Sequence, residues 1–152
     1  MIEIKVQEQP FDAAAEQARL AALGSDVGAI VAFTGLVRGR GGLTAMTLEH
    51  YPAMTERELA RIAREARAHW PLLGGTIIHR YGRLEPGEAI VLVAIASGHR
   101  QAAFEAAQFI MDWLKTNAPF WKCEERAAGT HWVDAKDSDE EAARRWRQDD
   151  ST

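Results

Sequence analysis

The amino-acid sequence predicts a single α+β domain. Three observations carry that expectation: short β-patterned segments joined by glycine and proline turns, three or four amphipathic helical segments set among them, and a length of 152 residues, which suits one hydrophobic core. The domain is expected over residues 1–148, with 149–152 a frayed polar tail.

Each element has its own signal. Ile2, Ile4 and Val6 alternate with polar residues, the mark of a half-buried strand. Asp12 to Leu23 is alanine-rich and suits a helix that Gly24 ends. Val27 to Val37 is rich in β-branched residues and predicts a strand, followed by the flexible turn Gly39-Arg40-Gly41-Gly42 and a return strand over Leu43 to Tyr51. Thr55-Glu56-Arg57-Glu58 reads as a capping box, opening a helix whose Leu59, Ile62, Ala63, Ala66 and Trp70 face inward until Pro71 stops it. Thr76 to Leu84 and Glu88 to Ala96 flank Glu85-Pro86-Gly87, where proline then glycine suits a type II turn and predicts a hairpin. The unbroken apolarity of Ala89 to Ala96 indicates a strand buried on both faces. A long helix follows from about His99 to Asn117, with Phe104, Ile110, Met111 and Leu114 inward; Pro119 disfavours helix at Ala118. Phe120 to Arg126 and Thr130 to Val133 predict a second hairpin. Ser138-Asp139-Glu140-Glu141 is a further capping box, opening a short helix through Trp146.

Composition excludes several functions. With 47% hydrophobic and 26% charged residues the chain is ordinary for a globular protein. Its net charge of −4 offers no global basic field for nucleic acid, and the arginines of the 55–70 helix alternate with glutamate and alanine as on a solvated face. The lone Cys123 permits no internal disulfide. The start of the chain lacks the layout of a signal peptide, and the longest apolar run is far below the ~20 residues of a membrane helix. A reducing cytoplasm is the expected setting. The five histidines, His50, His69, His79, His99 and His131, show no paired spacing for a metal, and most are expected at the surface or at strand edges. Neither a metal nor a cofactor is expected.

Any anion chemistry must therefore come from local cations. Arg38 and Arg40 sit in a glycine-rich loop whose free amides can cradle a phosphate, although a flexible hairpin with solvated arginines fits as well. His99 and Arg100 open the long helix, where the dipole welcomes an anion and mildly disfavours a cation, although an arginine that snorkels away into water fits as well. Lysines are few, being Lys5, Lys115, Lys122 and Lys136, yet two of them flank the corner Lys115-Thr116-Asn117-Ala118-Pro119-Phe120-Trp121-Lys122-Cys123-Glu124. Lys115 suits the last helical turn on electrostatic grounds alone. Lys122, in the next strand, points away from its neighbours Trp121 and Cys123. Two amines brought together beside aromatic walls would lower each other's pKa and suit acid–base or acyl chemistry. Cys123 has no histidine nearby in sequence to activate it and reads as a small filler.

Taken together, certain strings resemble one family. Phe33-Thr34-Gly35-Leu36-Val37-Arg38, Leu48-Glu49-His50-Tyr51-Pro52, Ile78-His79-Arg80-Tyr81-Gly82, Pro86-Gly87-Glu88, Gly98-His99-Arg100, Ala103-Phe104-Glu105-Ala106, Asp112-Trp113-Leu114-Lys115-Thr116 and Ala118-Pro119-Phe120-Trp121-Lys122 are similar, in order and spacing, to the large-subunit family of molybdopterin synthase. The resemblance covers about residues 2 to 146. It implies an α/β-hammerhead-like fold and a homodimer flanked by two small ubiquitin-like sulfur-carrier subunits, each ending in a Gly-Gly thiocarboxylate. It also implies sulfur transfer onto cyclic pyranopterin monophosphate (precursor Z) to form the dithiolene of molybdopterin. By the same resemblance Lys115 matches the catalytic lysine and Lys122 its partner. Leu36, Val37, Arg38, His99, Arg100, Cys123 and Glu124 join the two lysines as substrate-binding positions. Two features depart from the family pattern: Cys123 stands where relatives commonly carry lysine, and the Gly39–Gly42 loop is short.

The alternative class is a non-catalytic anion-binding or protein-interaction module on the same fold, which has no need of the Lys115/Lys122 pair. Helix arithmetic adds an expectation. At ~1.5 Å per residue, His99 and Lys115 lie about 24 Å apart along one helix. A small pterin phosphate reaches both only if a second copy of the chain supplies His99 and Arg100.

Overall fold

The computed structural model describes residues 1–127 and 129–133. In chain order these form β1 (Ile2–Gln7), α1 (Ala13–Ala21), β2 (Ala29–Leu36), β3 (Leu43–His50), α2 (Pro52–His69), β4 (Leu72–Arg80), β5 (Gly82–Leu84), β6 (Ala89–Ser97), α3 (Arg100–Asn117), β7 (Phe120–Arg126) and β8 (Gly129–Val133). The expected α+β class holds. The capping box at Ser138, the helix through Trp146 and the 149–152 tail lie outside the described residues.

Two four-stranded sheets divide the strands. The first runs β1-β4-β6-β2 and the second β5-β3-β7-β8. All pairings are antiparallel except β1 with β4, which the turn chemistry did not announce. β6 lies at the interior of the first sheet and is buried on both faces, as its unbroken apolar run requires. On one face Val91, Val93 and Ile95 meet Leu59, Ile62 and Ala66 of α2 and Ala103, Ala106 and Ile110 of α3. On the other, Leu92, Ala94 and Ala96 meet Leu20 of α1. A smaller cluster of Val37, Met46, Leu48 and Leu84 lies against the second sheet.

Four local expectations are corrected. The segment 76–84 is not one strand: β4 stays in the first sheet, and the chain turns at Gly82 (φ 90°) so that β5 pairs with β3 in the second. Of the expected 76–84 strand only β4 pairs with β6, over Leu72 to His79, and the other neighbour of β6 is β2. The second helix starts at Pro52 rather than Thr55, because a first-turn proline is already set for helix and gives up no hydrogen bond. Thr55 is wholly buried inside that helix, hydrogen-bonded to His50 Nδ1 at 3.2 Å. Phe104 is 60% exposed, since its flank of α3 is covered near Met111 but open two turns earlier. Finally, the Gly39–Gly42 loop is held: Arg126 Nη1 donates to the carbonyls of Arg40 (2.8 Å) and Gly41 (2.6 Å).

Candidate functional site

The site forms where the two sheets meet the end of α3. The β4 residues Gly75, Ile77 and His79 point toward the helical face of the first sheet, by the alternation of a strand. His79 pairs in register with Val91 of β6. Across the seam, His50 at the end of β3 pairs with Phe120 at the start of β7. Ala118, extended at the C-cap of α3 (φ −65°, ψ 136°), and Pro119 turn the chain from helix into β7, and this short corner carries Lys115 and Lys122 to one place.

A cavity of ≈ 100 Å³ opens there. Its apolar wall includes Leu36, Leu48, Met111 and Leu114, with Phe120 as an aromatic panel; its polar side chains among the described residues are His79, Lys115 and Lys122. Among the described residues no carboxylate lines it. Alternation along β7 turns Phe120 and Lys122 to the cavity and Trp121 to the opposite face, where Trp121 meets Tyr51 edge-on at 4.7 Å.

Rings stack into a column beside the lysines. His79 lies flat on Phe120 at 3.8 Å, Phe120 is 5.6 Å from His50, and His50 is 4.4 Å from Tyr81. His79 Nδ1 is 2.9 Å from the carbonyl oxygen of Arg80. A carbonyl only accepts, so Nδ1 carries the hydrogen and Nε2 is the acceptor of the neutral ring. Burial pushes the His79 pKa down to about 4; the charges of Lys115 and Lys122 and the nearby His50 push the same way, while the Arg80 carbonyl resists. The surface His79 retains opens on the cavity it lines. Burial also lowers His50, against the opposing charge of Glu56.

Of the residues singled out in the sequence, Leu36, Lys115 and Lys122 line this cavity. Val37 is buried behind it, its N–H donating to the Glu88 carbonyl and its own carbonyl accepting from Gly87. Arg38 is exposed just past the end of β2. Cys123 and Glu124 follow on β7, half-buried, with Glu124 accepting from Arg126. His99 and Arg100 are exposed at the far end of α3, away from the cavity of their own chain.

His79 and His50, among histidines mostly expected at the surface or at strand edges, belong to the site instead. The available signal was His79's place on the inward period of β4, in step with Ile77. Arg126 was also missed; only the fold brings it to the glycine-rich loop. Among the described residues no group of histidine, cysteine, aspartate and glutamate side chains is arranged to hold a metal.

Two amines and an uncharged imidazole around an apolar cavity define a class: a small α+β protein equipped to take up an anion and act on it. The sequence model of the family described as MoaE protein matches residues 6–117, and the chain belongs to that family. It is 56% identical over 147 residues to a Mesorhizobium japonicum protein named molybdopterin synthase catalytic subunit, covering 95% of this chain and 92% of that one. Among solved structures it is similar to the molybdopterin biosynthesis MoaE protein of Burkholderia ambifaria, with a TM-score of 0.83 and 47% identity over 96% of this chain and 98% of that one. A Staphylococcus aureus molybdopterin synthase chain matches with a TM-score of 0.77 and 32% identity, over 86% and 96% of the two chains.

Proposed function

We propose that this chain is the catalytic subunit of a molybdopterin synthase, transferring sulfur from the C-terminal thiocarboxylate of a small ubiquitin-like subunit onto cyclic pyranopterin monophosphate. The observation that carries the reading is the convergence of Lys115 and Lys122 on one largely apolar cavity. A thiocarboxylate must approach a substrate that is itself anionic, and fixed cations offset that repulsion and stabilise charge on the departing oxygen. Lys115 is the catalytic residue and Lys122 its partner. The apolar walls keep water from the thiocarboxylate and strengthen the field of both ammonium groups.

Leu36, Val37, Arg38, Cys123 and Glu124 complete the substrate site in this reading, as wall or rim. His99 and Arg100 come from a second copy of the chain, because α3 holds them at the other end from Lys115. An exposed apolar surface supports that homodimer. β2 is the outer strand of its sheet, with Phe33 41% and Leu36 56% exposed, and Phe104 is exposed on α3, which packs beside it. The assembly is then a homodimer with one sulfur carrier per chain, working in the cytoplasm. No helix among the described residues is long and apolar enough to cross a membrane.

The test is direct. The protein is incubated with thiocarboxylated small subunit and precursor Z, and dithiolene product is measured. Product formation is expected; binding of both without product would leave only the non-catalytic module.

A further inference from the structure

The clamp on the glycine-rich loop has no part in the mechanism above. Arg126 closes β7. Strand alternation sets it on the same face as Lys122, which lines the cavity, with Glu124 between them. Its guanidinium bridges two elements: Nη2 donates to Glu124 Oε2 at 2.5 Å, and Nη1 donates to the carbonyl oxygens of Arg40 and Gly41. The loop is shaped to receive it. A Cβ on Gly41, whose φ is 63°, would stand 2.6 Å from Nη1, so a side chain there would push the guanidinium aside. An extra residue in β3 between Leu43 and Ala45 bends the start of that strand beside Arg126, and the Thr44 hydroxyl fixes the bulge by donating to the Glu125 carbonyl at 3.0 Å. The exposed Arg38 is bracketed by these contacts. Before it, the Val37 backbone bonds to Gly87 and Glu88; after it, Gly39 rests on Pro86 and Gly41 on Arg126.

We propose that Arg126 is a positioning residue for the substrate phosphate: held by Glu124, it fixes the backbone of the glycine-rich loop so that Arg38 is aimed at the anion before the anion arrives. The inference rests on the sulfur-transfer reading and adds to it a residue that touches neither substrate. A loop of glycines is otherwise free to sample many conformations, and that freedom would be lost on binding. Arg126 removes it in advance. Its effect therefore falls on affinity for the phosphate-bearing substrate. The chemical step is spared, because the Ala118-Pro119 corner, not the loop, places Lys115 and Lys122. Lysine is no replacement at this position. A planar fork reaches the two carbonyls and the carboxylate together, whereas an ammonium group is a single point of charge.

Steady-state rates are measured with thiocarboxylated small subunit and varied precursor Z, for the parent protein, Arg126→Ala and Arg126→Lys. Both variants should raise KM for precursor Z by roughly 10-fold, the scale of one charge-assisted hydrogen bond, with kcat kept within about twofold. KM for the small subunit and the thermal midpoint should stay at the parent values. Arg126→Ala is then repeated in an Arg38→Ala background. There its further effect on kcat/KM for precursor Z should shrink to about twofold or less, since the two residues act as one unit. An unchanged KM in either variant, or an equal loss with and without Arg38, overturns the positioning role and leaves the sulfur-transfer reading standing. A loss spread over kcat and both KM values, with a lower thermal midpoint, marks a structural residue and overturns it too. A parent protein that makes no dithiolene overturns the reading and the positioning role together.

Discussion

The imidazole of His79 and the ring of Phe120 lie 3.8 Å apart with their planes 18° from parallel, the closest to parallel of the site's ring contacts. The stack joins β4 of one sheet to β7 of the other, so a charge placed on His79 is felt by the fold. The folded ring titrates near 4 against an ordinary 6.5. Between those values the unfolded chain binds a proton that the folded chain refuses. Stability from this residue is therefore full above pH 6.5 and declines as pH falls toward 4, by up to ~3 kcal/mol for a shift of this size. Urea unfolding across that range should show the decline in the parent protein and a flatter profile in His79→Gln. Equal slopes would show that the ring is not held neutral by the fold.

Lys115→Ala should lose product formation by roughly 100-fold or more, the scale for removing one preorganised charge-stabilising donor. Cys123→Ser should stay near the parent rate, because Cys123 lies at the rim, outside the side chains that line the cavity, and serine keeps its size. Rates are compared at matched thermal stability. Normal turnover in the lysine variant, or a dead serine variant, reverses the assignment.

The separation of His99 and Arg100 from Lys115 along α3 leads to a complementation experiment. Arg100→Ala and Lys115→Ala homodimers should each be inactive. After subunit exchange, a mixed dimer holds one doubly damaged site and one intact site, so activity should partly return. Verified exchange without recovery would place each site within a single chain.

The cavity is narrow, which suits an extended C-terminal tail rather than a folded surface. Removing the terminal Gly-Gly from the small subunit should abolish sulfur transfer. Unchanged transfer from the shortened carrier would mean that sulfur arrives by another route.

Gly28 provides a stability test remote from chemistry. A Cβ there would stand 2.2 Å from the Gly98 carbonyl oxygen, and both partners are backbone. Gly28 N–H also donates to the Ser97 carbonyl at 3.0 Å, fixing the approach. Gly28→Ala should destabilise by ~2 kcal/mol or more in denaturant unfolding. Gly24→Ala, with open space at its Cβ, should be nearly neutral.

What sequence reveals here follows the range of the forces involved. β6 and α3 were legible because their apolar periods are local and must be buried somewhere. The corner at Ala118-Pro119 was legible for the same reason, and with it the Lys115–Lys122 pair. The split of β4 from β5 was not, because Gly82 turns the chain between sheets whose separate existence depends on distant strands. Phe104 failed because a helical stripe tells which face is apolar, not how far along the helix a neighbour extends. His79 failed because a histidine on an inward strand position looks the same whether it packs in a core or borders a cavity. Assigning the site roles required the family resemblance; charge spacing alone left the glycine-loop arginines and the α3 terminus undecided.

Residues 72 to 84 run through both sheets with one turn between them. β4 is hydrogen-bonded to β1 and β6, Tyr81 donates to the Gln7 carbonyl, and β5 is bonded to β3. The two sheets that meet at the cavity are thus joined by one short stretch of backbone and cannot be drawn apart there without breaking ladders on either side. Reshaping the cavity calls for new side chains at Leu48 or Met111, which face it from opposite sides of the seam.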